Sequence, residues 1–173
     1  PRASLGMLAL GQRGAFVAQT SIADPAHLGA SMLQALAFEG AALLQVYAPS
    51  PARHGFPANE SADQARLATS SRALPLFRYD PRKADAGENP LHLDSKEPSM
   101  PYREFAMSET RFAVLERTHP EAAHRFIDAA QHHIKSRFHL YEQLAKLAVG
   151  EKTTDEDPEI SEEPELHQPS TSH

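Results

Sequence analysis

The sequence contains no cysteine. Disulfides, thiolate metal sites and a cysteine nucleophile are therefore excluded within this chain. No apolar run approaches the roughly 20 residues that span a bilayer, and no signal-peptide pattern opens the sequence. No membrane partner is expected, and a cytoplasmic location is the default. A basic excess is also missing. The formal charge is −6, yet residues 151–173 hold eight acids and one lysine, which leaves +1 for residues 1–150. A near-neutral body without a basic patch argues against nucleic acid as the partner. The eight glycines form no GxGxxG, none precedes a lysine, and no Gly-x-Ser-x-Gly occurs. Those absences remove the dinucleotide fingerprint, the phosphate loop and the hydrolase elbow. No aspartate follows a glycine either, so a Gly-Asp-Gly turn that could anchor a metal-bound diphosphate is absent.

What remains is 173 residues, enough for one domain with a real core plus extra segments. The chain opens on Pro1 with apolar periodicity already under way by residues 5–10, which suggests a piece of something longer. Its organising stretch is residues 41–55, AALLQVYAPSPARHG. The apolar run 41–47, bounded by Gly40 and by Pro49 and Pro51, predicts a strand buried on both faces. The loop after such a strand is where an open α/β sheet meets its ligands. Here it carries Ser50, Arg53 and His54.

Around that stretch the pattern predicts a short helix over 4–10, with Leu5 and Leu8 inward, and a first strand over 15–22. Asp24-Pro25 is a helix start, and Leu28, Met32 and Leu36 form one stripe of the helix that follows. Strand, helix and strand then make a βαβ unit with a parallel pair. A helix is expected over 59–71, with Ala62, Ala65, Leu67 and Ala68 inward. A strand is expected over 74–79, with Pro75 placing it at an edge or at its own start, and a brief extended piece over 91–94. Two helices close the body, over 101–117 and 118–149, the second opening with a Thr-His-Pro-Glu capping box. Residues 150–173 are acidic and poor in large apolar groups, and should be disordered.

His124, Asp128 and His132 share a helix face, as metal ligands would. The apolar stripe set by Phe126, Ile127 and Ile134 lies elsewhere on that helix, so a solvated polar face is the reading, as for His133 and His139. Asp80, Asp85, Glu88 and Asp94 fall in connections and read as solvated turn groups. No complete active site can be assembled from these residues.

The wording of LPLFRYDPRKADAGENPLHLDSKEP and REFAMSETRFAVLER, with GAFVAQTSIADPAHLGASMLQALAFEGAALLQVYAPS upstream, is specific. It resembles the C-terminal thiamine-diphosphate-binding domain of pyruvate:ferredoxin (flavodoxin) oxidoreductases, the 2-oxoacid:acceptor oxidoreductase family, over about residues 4–147. The resemblance implies a multidomain homodimer that oxidatively decarboxylates a pyruvate-like 2-oxoacid on thiamine diphosphate and Mg²⁺. Coenzyme A takes the acyl group, and electrons leave through iron–sulfur clusters to ferredoxin or flavodoxin. It also implies that the Mg²⁺-diphosphate motif lies ahead of residue 4, outside this chain, so the chain alone should be catalytically incomplete. After the strand at 41–47 the family places a cluster-ligating cysteine, and the matching residue here is Ser50. Serine is a poor iron ligand beside a thiolate. His54 either takes an iron or forms a hydrogen-bonding wall. Ser50 and His54 are thus the candidate cofactor-facing residues, and no catalytic or metal-binding residue is assigned.

These readings together give an α/β fold, a partial parallel sheet with a βαβ unit followed by a C-terminal helical pair. The expected divisions are residues 1–100 (later half of the cofactor domain), 101–149 (helices packed on it) and 150–173 (tail). Two alternatives stay open: a cluster-independent thiamine-dependent decarboxylase or transferase, and a non-catalytic interaction module.

Overall fold

The computed structural model describes residues 5–11 and 13–147, and the expected tail over 150–173 lies outside them. The element order is α1 (Leu5–Leu10), β1 (Phe16–Ser21), α2 (Pro25–Leu36), β2 (Ala42–Tyr47), α3 (Pro51–His54), a 3₁₀ turn (Ala58–Glu60) and α4 (Ser61–Ser70). There follow β3 (Phe77–Tyr79), α5 (Arg82–Asp85), β4 (Leu91–Leu93), α6 (Tyr102–Met107), α7 (Thr110–Thr118) and α8 (Pro120–Lys146). The fold is α/β, as its sequence implies. Its four strands lie in the order β2-β1-β3-β4. β1 and β2 are parallel, with Phe16 opposite Ala42 and Ser21 opposite Tyr47, and complete the βαβ unit. β3 runs antiparallel to both β1 and β4, so the sheet is mixed.

β1 is the centre of the fold: all six of its residues are buried. Val17 on one face joins Phe77, Tyr79, Leu91 and Tyr141 in the main core, against which Met7 and Leu10 of α1 and Leu144 of α8 pack. The Phe77 and Tyr141 rings stack with centroids 4.9 Å apart. Gly6 is what lets α1 approach, since a Cβ there would stand 2.9 Å from the Phe77 ring. α2 packs against β1 and β2. Asp24 caps α2 by accepting from the His27 N–H at 2.9 Å, and Pro25 occupies its first turn.

Several expectations are corrected. β2 is not buried on both faces: it is an edge strand with only half-buried and exposed residues. The α2 stripe does not face inward as a whole: Leu28 is half-buried, but Met32 and Leu36 are 47% and 81% exposed, and the buried residue is Ser31. In α1 the exposed residues are Leu5 and Leu8, while Met7, Ala9 and Leu10 meet the core. In α4, Ala62 is exposed and Gln64 takes a buried position. β3 is three residues long and interior, with Pro75 just ahead of it, so proline costs the ladder no donor. The expected helix over 101–117 breaks into α6 and α7 around Glu109, because that carboxylate is drawn into the protein. The closing helices are therefore three. In α8 the buried stripe is Ala123, Ile127, Ile134, Phe138 and Tyr141, whereas Phe126, expected in it, is exposed. No helix among the described residues is long and apolar enough to cross a membrane.

Removing Phe77's ring should expose how much of the fold the sheet–α8 contact supports. Phe77→Ala is expected to cost about 3–5 kcal/mol. Phe126→Ala, at a side chain 63% exposed, should change stability by less than about 0.5 kcal/mol. Urea unfolding of both variants measures the contrast.

Candidate functional site

β1 and β2 end on the same edge of the sheet, and β4, running parallel to β1, ends there too. That edge is where a ligand would sit in an open α/β sheet. Two carboxylates are drawn into it from opposite sides.

Asp94 follows β4. It accepts from His27 Nε2 at 3.0 Å, from Arg78 Nε at 3.0 Å and Nη2 at 2.5 Å, and from His92 Nδ1 at 3.0 Å. In the tautomer that donates from Nε2, His27 accepts the Thr20 hydroxyl at Nδ1, 2.9 Å away. The arrangement runs Thr20–His27–Asp94 like a nucleophile, base and carboxylate. Thr20 is fully buried, however, so no substrate reaches its hydroxyl. The array instead ties the start of α2 to β1, β3 and the exit of β4. Burial acts to raise the Asp94 pKa, but the hydrogen bonds and charges of His27 and Arg78 outweigh it and bring the carboxyl to about 2. The expectation of a solvated turn group at Asp94 is corrected: its side chain is 11% exposed. Asp80 is similarly engaged, accepting from Arg82 Nε at 2.9 Å and Nη2 at 2.7 Å.

Glu109, between α6 and α7, is fully buried. It accepts from Arg111 Nε at 2.6 Å and from Gln64 Nε2 at 3.4 Å. His54 Nδ1 stands 3.5 Å from Glu109 Oε1, too far for a well-formed hydrogen bond, and is a buried nitrogen without a hydrogen-bond partner among the described residues. The Ser108 hydroxyl stands 2.9 Å from Gln64 Oε1 and 2.6 Å from the Phe105 carbonyl and shares its one proton between these two acceptors. The phenol of Tyr47, the last residue of β2, is pushed up to about 12, first by burial and then by the Glu109 charge. Tyr102 is raised for the same two reasons.

The loop after β2 is clamped onto this cluster. Gly55 adopts φ 74° and its carbonyl accepts from the Thr110 N–H at 2.9 Å and the Thr110 hydroxyl at 2.5 Å. A Cβ at Gly55 would stand 2.7 Å from Thr110 Cβ, so both backbone conformation and space require glycine. Of the two predicted site residues, His54 is half-buried against Glu109, while Ser50 is exposed and its hydroxyl makes no capping bond to α3. Arg53 is exposed beside it. Glu109 and Gln64 carry no expectation from the sequence, and Asp94 is the one expected as a solvated turn group. The sequence signal for Glu109 was faint: a glutamate flanked by Ser108 and Thr110 inside an otherwise helical pattern.

Neither a metal-bound diphosphate nor an iron–sulfur cluster finds its ligands here. Among the described residues no three His, Asp or Glu side chains are grouped to hold a metal ion, and no thiol is available. His124, Asp128 and His132 are each exposed on α8. A groove of about 880 Å³ lies at the other end of the sheet by Arg13, Phe38 and Arg82, with Arg82 already paired to Asp80.

Two measurements probe the carboxylates. Because Asp94's pKa is depressed on folding, its stabilisation is complete above the unfolded value of about 4 and is lost as pH falls toward 2. Asp94→Asn should therefore lower stability by about 2 kcal/mol at neutral pH and flatten the acid limb of a urea-unfolding series. Glu109→Gln should lower the Tyr47 titration toward its usual value without reaching it, since burial persists; phenolate absorbance against pH reads this.

No family model matches the chain. Individual relatives do. It is 33% identical over 168 residues to a putative pyruvate-flavodoxin oxidoreductase of Synechocystis, covering 96% of this chain and 14% of that protein. It is 32% identical over 143 residues to the pyruvate:ferredoxin oxidoreductase of Moorella thermoacetica, covering 82% of the chain and 12% of that protein. A probable pyruvate-flavodoxin oxidoreductase of Escherichia coli is 33% identical over 153 residues, 88% of the chain and 13% of the relative. The chain thus spans about an eighth of the length of the relatives it matches. Across nearly all of its own length, it belongs to the pyruvate:ferredoxin/flavodoxin oxidoreductase family.

Proposed function

We propose that this chain is part of a 2-oxoacid:ferredoxin or flavodoxin oxidoreductase. The parent enzyme oxidatively decarboxylates a pyruvate-like 2-oxoacid and passes the acyl group to coenzyme A. Thiamine diphosphate and Mg²⁺ supply the carbanion chemistry there and are held by residues outside this chain. The chain contributes the later half of the cofactor-binding α/β layer, with residues 101–149 packed on it and available for homodimer contacts. It does not catalyse on its own.

The observation that carries this reading is the place of the Ser50–His54 loop. It leaves the carboxyl end of a parallel strand, in a chain 33% identical over 96% of its length to a pyruvate-flavodoxin oxidoreductase. His54 is the wall of the site, with Glu109 behind it at 3.5 Å. Ser50 presents an uncapped hydroxyl to the outside.

That serine also favours a second reading, in which the parent is a thiamine-dependent decarboxylase or transferase without a cluster at this position. Iron content of the parent protein separates the two. Introducing Ser50→Cys into the longer parent protein should raise its iron content and its rate of electron transfer to ferredoxin. Should neither change, the loop does not face a cluster.

A further inference from the structure

The backbone on both sides of His54 is fixed. Its own N–H donates to the Ser50 carbonyl at 3.0 Å, and the Gly55 carbonyl after it takes two hydrogen bonds from Thr110. Its ring lies beside that of Phe56, with centroids 6.4 Å apart. The ring is therefore held in one place, and its two nitrogens differ. Nδ1 is buried and has no hydrogen-bond partner among the described residues. The side chain still keeps 17% of its surface exposed. Nδ1 contributes none of that, so the ring opens outward on its other side, which carries Nε2.

Nδ1 stands 3.5 Å from Glu109 Oε1. The two oxygens of that fully buried carboxylate are unequally served: Oε2 accepts from Arg111 Nε at 2.6 Å, whereas Oε1 has the long contact from Gln64 Nε2 at 3.4 Å. A buried anion short of a donor thus faces a buried nitrogen without a partner. A bare lone pair on Nδ1 would point at negative charge, which is repulsive; a hydrogen there is attracted to it. Which imidazole nitrogen carries the hydrogen is set by what the other group offers. A neutral ring has a single N–H, so Nε2 is left as an acceptor.

We infer that Glu109 fixes His54 in the Nδ1–H tautomer, and that the outward Nε2 lone pair accepts a hydrogen bond from coenzyme A. The choice of substrate rests on the proposed function; the tautomer does not. Of the two substrates in that reaction, pyruvate offers only carboxylate and ketone oxygens, which are acceptors and would oppose the lone pair. Coenzyme A brings thiol, amide and hydroxyl hydrogens. The loop after β2 also stands where a parallel sheet meets its ligands. His54 is thus a binding residue for the acyl acceptor, and Glu109 is a positioning residue that acts through it.

The longer parent protein, labelled with ¹³C,¹⁵N-histidine, tests both parts. Its nitrogen spectrum minus that of a His54→Gln variant isolates this ring, and the bond to Cγ identifies Nδ1. At about pH 9, where ordinary imidazole is neutral, the hydrogen should be on Nδ1 and absent from Nε2. The opposite pattern would overturn the inference. In Glu109→Gln both tautomers should appear, because a carboxamide faces Nδ1 equally well as donor or acceptor. A single unchanged tautomer there would take the positioning role away from Glu109. Steady-state kinetics read the substrate. Asparagine in His54→Asn reaches the place of Nδ1 but not that of Nε2, so the KM for coenzyme A should rise about two- to tenfold, the range for one lost neutral hydrogen bond. His54→Gln restores an acceptor near Nε2 and should bring that KM back, with the KM for pyruvate unchanged in both. A raised KM for pyruvate, or an unchanged one for coenzyme A in His54→Asn, would overturn the assignment. A parent without coenzyme A-dependent ferredoxin reduction would remove the proposed function and the substrate with it, while the nitrogen spectrum decides the tautomer separately.

Discussion

A strand with no exposed residue sets requirements that the rest of the chain must meet. β1 needs a partner on each edge and a cover on each face. β2 and β3 supply the edges, and α1 with α8 supplies one cover by bringing Leu10 and Leu144 toward Val17 and Phe77. α2 supplies the other. The covers differ in quality. The α1–α8 side is a continuous apolar core with a stacked aromatic pair, whereas the α2 side relies on small groups such as Ser31 and on the polar contact from Thr20 to His27.

That asymmetry explains why charge is used where it is. Buried carboxylates are stabilising only when their hydrogen-bonding capacity is met by cations and donors. Asp94 meets this with His27, Arg78 and His92, and so fastens the less apolar side of the sheet. Glu109 meets it with Arg111 and Gln64, with His54 alongside, and so fixes the break between α6 and α7 under the loop that follows β2. Both clusters stand at the carboxyl edge of the parallel pair. The chain has placed its most constrained polar groups where an α/β sheet meets a ligand.

Much of this could be read from the residues, and the failures share one physical cause. Asp24-Pro25, the βαβ unit and the long amphipathic α8 are governed by local backbone chemistry, so local signals located them. Which face of α1 or α2 is buried is decided by what lies across from it in the fold, which the spacing of apolar residues along the helix does not specify. The apolar run at β2 correctly indicated a strand but not its place at the edge of the sheet, which is set by pairing and not by composition. Asp94 and Glu109 were misread or missed for a related reason. A carboxylate in a connection is ordinarily solvated, and only contacts 16, 45, 55 and 67 positions away in sequence reveal otherwise.

The seam between Gly55 and Thr110 joins residues 55 positions apart through one carbonyl and one side chain packed hard against bare backbone. The approach loop and the start of α7 therefore move as one mechanical piece. The start of α7 is thereby fastened to the residue next to His54 directly, without an intervening strand of the sheet.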